Sequence, residues 1–197
     1  ALLGGAGFLT WAAMDEDGKN ATYQAALRQA DIDGHRVIEL AQGPAGIPPE
    51  GAVTLLQTDP LTQGPKLFAQ NCSSCHRYDG HDGTGGTPSD AQSAPDLKGV
   101  GSRQWIAGLL DPEMITTDKY FGGTAFKDGK MQKWVKRNVP DFTAEDKEKH
   151  RKAIIAISAE AKLPYQAEQD LADADLIKEG NTLLNDELEC LDCHEWH

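Results

Sequence analysis

The chain has 197 residues, 39% of them hydrophobic and 25% charged, the proportions of one or two ordinary folded domains. Its formal net charge of −12 argues against a nucleic-acid-binding surface, because phosphates demand neutralising cations, and favours partners with a basic face. Twenty glycines and an aromatic share of 7% predict small helices joined by long turns, with a ligand supplying part of the core.

Residues 1–14 are uncharged and apolar, with Trp11 near their end and Asp15, Glu16 and Asp17 just beyond. The stretch is shorter than the roughly twenty residues that cross a bilayer, and it lacks the basic leading region of a signal peptide. Two readings stand. It is the end of a transmembrane or membrane-proximal helix that begins upstream, with a non-cytoplasmic exit marked by the absence of Lys and Arg around Met14, or it is a helix packed into the protein or a ragged terminus. Residues 15–60 are expected to form a helical arm and linker. The arm is a helix from Asn20 to about Gln42 carrying Tyr23, Leu27, Ile38 and Leu40 and interrupted at Gly34. The prolines and glycines of 43–51 then form a boundary loop.

Thr62 is placed to cap a helix that runs through Leu67 and Phe68 to Cys72. Residues 79–101, rich in Gly, Ser, Thr, Asp and Pro, read as a long irregular loop, and such a length needs something to wrap around. Short helices are expected over 102–110 and about 128–137. Thr143 opens a further helix with Ile154, Ile155 and Ile157 on its apolar side and Lys, Glu and His on exposed first turns. Beyond Pro164 an acidic helical stretch carries Leu171, Leu176, Ile177, Leu183, Leu184 and Leu188. Here the chain repeats itself: Gly64-x-x-Leu67-Phe68 before Cys72 recurs as Gly180-x-x-Leu183-Leu184 before Cys190. Two related domains are therefore expected, over 61–163 and 164–197. The second is incomplete in this sequence, since only Glu195, Trp196 and His197 follow its motif.

All four cysteines fall in two C-x-x-C pairs, each followed at once by histidine: Cys72-Ser-Ser-Cys75-His76 and Cys190-Leu-Asp-Cys193-His194. A disulfide framework spreads its cysteines to close long loops. A tetrahedral zinc site would use the four thiols but leave both histidines unexplained, and a dithiol redox pair belongs on an α/β pattern absent from this chain. Both motifs match the pattern of covalent haem c attachment, in which two thiols on one helical turn join the two vinyl groups and the adjoining histidine ligates the iron. Two covalently bound haems are expected, with His76 and His194 as iron ligands. For the opposite side of the first iron the choice is Met131, which follows a loop able to cross the haem face; a thioether there raises the reduction potential and closes the site to small ligands. Filling the core is the bland alternative for Met131 and the stronger one for Met114. The second iron has no identifiable distal ligand. His35, His81 and His150 sit among charged or polar residues and read as solvated; His81 is close enough to the motif to line a haem edge, and His197 carries no signal. Trp105, Tyr120, Phe121, Phe126 and Trp134 read as pocket and core packing that excludes water, and the acidic run 170–175 as a solvated helix face.

Over residues 60–160 the sequence resembles the class I cytochrome c family. Gly64-x-x-Leu-Phe is similar to the family's N-terminal helix, whose glycine lets the C-terminal helix cross closely. Ala94-Pro95-Asp96-Leu97-Lys98-Gly99 resembles its Pro-x-Leu-x-Gly segment, and Gly129-Lys-Met131 its distal methionine loop, without the common proline just after Met. The resemblance implies an all-α cytochrome c fold around covalent haem, in which the Pro95 carbonyl accepts a hydrogen bond from the His76 imidazole, Leu97 packs on the haem and Arg103 approaches a propionate. The whole layout resembles the di-haem cytochrome c portion attached to bacterial cytochrome b subunits. That implies an electron-transfer subunit, not itself an enzyme, on the periplasmic side of a bacterial membrane and anchored through its N-terminal segment. Electrons would come from cytochrome b and Rieske iron–sulfur subunits and leave for a soluble cytochrome c or terminal oxidase. The competing functions are a two-haem cytochrome c peroxidase and a haem-based ligand-binding module, which the response of the reduced form to added ligands separates from a carrier.

Overall fold

A computed structural model describes residues 2–195. Ala1, Trp196 and His197, which the sequence reading places at the ends of the apolar segment and of the second domain, lie outside the described residues. The described chain is helical, as the sequence predicts, and its only extended pairing is an isolated bridge between Tyr78 and His81. It divides into two compact units, residues 1–66 and 67–197. The division between them falls at 66/67.

The first unit holds α1 (Leu2–Lys19), α2 (Ala21–Ala41) and α3 (Val53–Thr58), and α4 (Pro60–Asn71) begins in it. Along α1 the side chains of Phe8, Leu9, Trp11 and Met14 are exposed. Among the described residues no helix is long and apolar enough to cross a membrane. Asn20 caps α2 by accepting the Tyr23 amide at 3.0 Å, and the helix runs without a break through Gly34, contrary to the expected interruption. One interior glycine costs only about 1 kcal/mol, and the next turn is anchored. Arg36 Nε and Nη2 donate to the two carboxylate oxygens of Asp59 at 3.0 and 2.7 Å, and the Arg36 guanidinium holds the Asp59 carboxyl well below the usual carboxylate range. The same buried aspartate caps α4, accepting from the amide and hydroxyl of Thr62 at 3.0 and 2.8 Å. Thr62 is therefore inside the helix it was expected to cap, because Pro60 takes the first helical position, where its missing N–H costs nothing.

The second unit contains α5 (Arg103–Leu109), α6 (Lys130–Asn138), α7 (Ala144–Glu160), α8 (Ala167–Ala172) and α9 (Ala174–Asp186). Ser102 caps α5 through the Trp105 amide. Thr143 and Asp146 form a reciprocal capping box at α7, which fixes where these helices start. Helix α7 buries Ala153, Ile155, Ala156 and Ser158, while Ile154 and Ile157 are half-buried. Against it lies α9, whose Leu183 and Leu184 are buried. Ala153, Ala156 and Leu184 form a core cluster joined by Ile157, Leu188 and Cys190. The crossing is close because position 180 is glycine: a Cβ there would lie 2.2 Å from the Lys152 carbonyl oxygen and 2.8 Å from Ala156 Cβ. At Gly64, to which the family resemblance assigns this role, a Cβ would meet nothing within 4 Å. The second copy of the repeat makes a close crossing on α7, and residues 164–195 are in the same compact unit as the first motif.

His150, expected to be solvated, is half-buried with its ring edge-on to Phe142 at 5.3 Å between centroids, and its Nε2 is buried with no hydrogen-bond partner. Burial pushes its pKa below the ordinary imidazole value. As pH falls below about 6.5, the unfolded chain binds a proton that the folded chain resists, so stability decreases through that window. We expect urea unfolding between pH 8 and 5 to show this loss in the wild type and a flatter profile in His150→Phe; equal slopes would show that His150 is not the group involved.

Candidate functional site

The first Cys-x-x-Cys-His motif continues the last turn of α4. The amides of Cys72 and Ser73 donate to the Phe68 carbonyl at 2.8 and 3.0 Å, and those of Cys75 and His76 to the Cys72 carbonyl at 3.1 and 2.8 Å. The motif is therefore a helical turn, with Cys72 half-buried and Cys75 exposed. Arg77, buried to 7% exposure, tightens it. One guanidinium nitrogen donates to the carbonyls of Ser73 and His76 at 2.7 and 2.8 Å, and another reaches the carbonyl of Asp90. The loop closes from the other side, where the amides of Ser93 and Ala94 both donate to the Cys75 carbonyl at 3.1 Å. Hydrogen bonds from the Ser93 and Ser74 hydroxyls hold the Cys75 thiol below its ordinary pKa. That favours the thiolate, the nucleophilic form.

His76 is the centre of this arrangement. Its Nδ1 donates to the Pro95 carbonyl oxygen at 2.7 Å, which fixes the tautomer and leaves Nε2 as a lone-pair donor. Leu97, half-buried, is tied to the same turn by its amide, which donates to the Arg77 carbonyl at 2.8 Å. Met131 is the second residue of α6 and half-buried, whereas Met114 is exposed in a short 3₁₀ turn (Met114–Thr116). Tyr120 is buried, with its hydroxyl donating to the Trp105 carbonyl at 3.0 Å and its ring 5.3 Å from that indole. Trp134 meets Phe142 edge-on. Phe126 departs from the packing role expected of it: it is 63% exposed beside Phe121. His81 is half-buried rather than solvated, with its Nδ1 accepting the Gly83 amide at 2.9 Å and its ring beside Tyr78.

Arg103 is placed differently from the expectation. Its guanidinium donates to Asp170 at 2.7 Å and to Asp173, so two carboxylates take the cation that was to meet a propionate. The acidic run 170–175 is in part an ion-pair partner rather than a solvated face. The signals missed by sequence reasoning are Arg77, next to the motif, and Asp96, inside the segment already singled out.

The donor set at 72–76 fits covalent haem c. It offers two thiols one turn apart with no disulfide between them and an imidazole oriented through Nδ1 with Nε2 left for iron. At the second motif the His194 amide donates to the Cys190 carbonyl at 3.0 Å, and Cys193 and His194 are exposed. Among the described residues no side-chain hydrogen bond holds the His194 ring.

No curated protein and no solved structure matches the chain. A family model does: residues 61–156, just under half of the chain, match the model described as cytochrome c, which supports a c-type cytochrome with covalently bound haem over the stretch that holds Cys72, Cys75, His76, Pro95 and Met131.

Proposed function

We propose that this chain is a di-haem electron carrier. One haem c is attached at Cys72 and Cys75 with His76 and Met131 as iron ligands, Leu97 against its face, and the second is attached at Cys190 and Cys193 with His194. When bound, haem c supplies reversible one-electron exchange at its iron. The protein's part is to keep both ligands on, exclude water and hold the imidazole at a fixed tautomer. The observation that carries the reading is the 2.7 Å bond from His76 Nδ1 to the Pro95 carbonyl, since a histidine so oriented, directly after two thiols one turn apart, presents its free Nε2 to an iron. The layout favours a place between a Rieske and cytochrome b quinol-oxidising complex and a soluble cytochrome or terminal oxidase, on the periplasmic side of a bacterial membrane. The net charge of −12 suits a basic docking partner. The exposed His194, whose ring no side-chain hydrogen bond holds among the described residues, is the feature that favours the competing reading of a peroxidase or ligand-binding module at the second haem.

A pyridine haemochrome count and a reduced-minus-oxidised spectrum with carbon monoxide test this on the intact chain and on Met131→Ala. Two covalent haems per chain are expected, with the first unreactive to carbon monoxide until Met131 is removed and then binding it stoichiometrically. Absence of covalent haem sinks the proposal, and strong carbon monoxide binding by the intact chain transfers support to the competing reading.

A further inference from the structure

We propose that Asp96 is a positioning residue for the proximal ligand: its carboxylate and main chain lock the peptide whose carbonyl orients His76, and so set the reduction potential of the first haem. The inference rests on the haem reading above.

Pro95 C=O and Asp96 N–H are the two ends of one planar peptide group. The carbonyl accepts from His76 Nδ1 at 2.7 Å, and the amide donates to the Lys119 carbonyl at 2.9 Å. Rotating that plane would break both bonds at once. The next carbonyl, Asp96 C=O, accepts from Trp105 Nε1 at 3.0 Å, which ties the segment to α5. The side chain, 6% exposed, does the rest. One carboxylate oxygen accepts the amides of Lys98 and Asp79 at 2.8 and 3.1 Å, and the other accepts the Gly80 amide at 2.7 Å.

Those last two amides belong to the 78–81 turn that begins two residues after His76. Asp79 has φ +58° and Gly80 φ +81°; a non-glycine residue at positive φ is costly and needs holding in place. The buried carboxylate does that holding, because removing it leaves two oriented N–H groups without an acceptor. Asp96 thus bridges the chain just after His76, the 118–120 segment and α5, with the His76 acceptor at its own N-terminal side.

A firm hydrogen bond at Nδ1 makes the imidazole a stronger donor and favours the ferric state. Loosening the Pro95 carbonyl therefore raises the midpoint potential. Simple loosening of the pocket has the opposite sign, since water entry favours the more charged ferric iron and lowers the potential. Deleting the carboxylate charge also raises the potential, so the direction separates positioning from pocket loosening, and exchange of the His76 ring proton separates positioning from a charge effect.

The test uses the haem-loaded full chain, with Asp96→Ala, Asp96→Asn and, as a control, Glu148→Ala, which removes an exposed ion pair with Arg151 on α7. Midpoint potentials are read by spectroelectrochemistry, with the first haem's wave identified as the one that Met131→Ala also moves. The His76 ring N–H is followed by proton NMR of the ferrous protein. Asp96→Ala is expected to move that wave to more positive potential and to speed exchange of the ring proton. Asp96→Asn, which keeps one acceptor oxygen but sets an NH₂ against the Gly80 amide, should fall between it and the wild type, and Glu148→Ala should leave both readings unchanged. If Asp96→Ala does not assemble, Asp96→Asn decides alone. An unchanged or lowered potential with haem attached, or a raised one with ring-proton exchange unchanged, overturns the inference, whereas a wild-type chain without covalent haem overturns the reading beneath it.

Discussion

Alanine at position 180 is expected to destabilise the 67–197 unit by about 2–3 kcal/mol, while alanine at position 64, the same place in the repeated motif, is expected to add about 0.5–1 kcal/mol. The two signs follow from what a Cβ meets. At Gly180 it would lie 2.2 Å from the Lys152 carbonyl oxygen and 2.8 Å from Ala156 Cβ. The first obstacle is backbone, which no rotamer change can move, so α9 must lift from α7 and loosen the cluster of Ala153, Ala156 and Leu184. At Gly64 a Cβ meets open space inside a helix, where alanine's gain is the smaller conformational freedom of the unfolded chain. Denaturant unfolding of the haem-loaded single mutants, followed by far-ultraviolet circular dichroism, reads both. A loss at Gly64 equal to or larger than that at Gly180 would overturn the assignment of the close crossing to the second copy.

This pair also marks where the sequence stops being readable. Features settled within a few residues are legible: Ser102 and Thr143 announce helix starts because a side-chain oxygen need only reach an amide three residues on. The Cys-x-x-Cys-His motifs are legible for the same reason, their chemistry being set by one turn of chain. The choice of helix to lie against α7 is not, because the Gly-x-x-Leu pattern occurs twice and both copies satisfy the same local rule. Gly34 misleads in the other direction: alone it reads as a break, and the Arg36–Asp59 pair, 23 residues apart in sequence, outweighs it. His150 reads as solvated because its neighbours in sequence are charged, yet Phe142 lies beside it in space. The Pro95 carbonyl was reached only through family resemblance. Nothing local to residue 95 says that a ring 19 residues earlier will donate to it.

Arg103→Ala is expected to cost about 2–3 kcal/mol in unfolding free energy while leaving the reduction potential of the first haem unmoved. The side chains of Arg103, Asp170 and Asp173 keep only 15%, 16% and 26% of their surface, so removing the cation strands two like charges in a poorly hydrated place. Breaking a fully buried pair costs 3–5 kcal/mol, and the residual hydration here sets the expectation at or below the bottom of that range. The partners lie 67 and 70 residues away in sequence, so the interaction closes a long loop and its loss removes one of the ties on the 164–173 segment. That segment is also held by Gln166, whose side chain accepts the Arg103 amide at 3.2 Å and donates to Ser158 Oγ at 3.0 Å, while Ser158 Oγ donates to the Gly101 carbonyl at 2.8 Å. These bonds remain in the alanine variant, so the segment should loosen rather than detach. Replacing Asp170 and Asp173 by asparagine in the Arg103→Ala background should recover part of the loss, since it removes the stranded charges, and a double-mutant cycle isolates the pair from the packing of the arginine stem. The potential distinguishes the two roles open to this residue: an arginine on a haem propionate would shift it when removed, whereas one that clamps α5 to the C-terminal segment changes the denaturation midpoint alone.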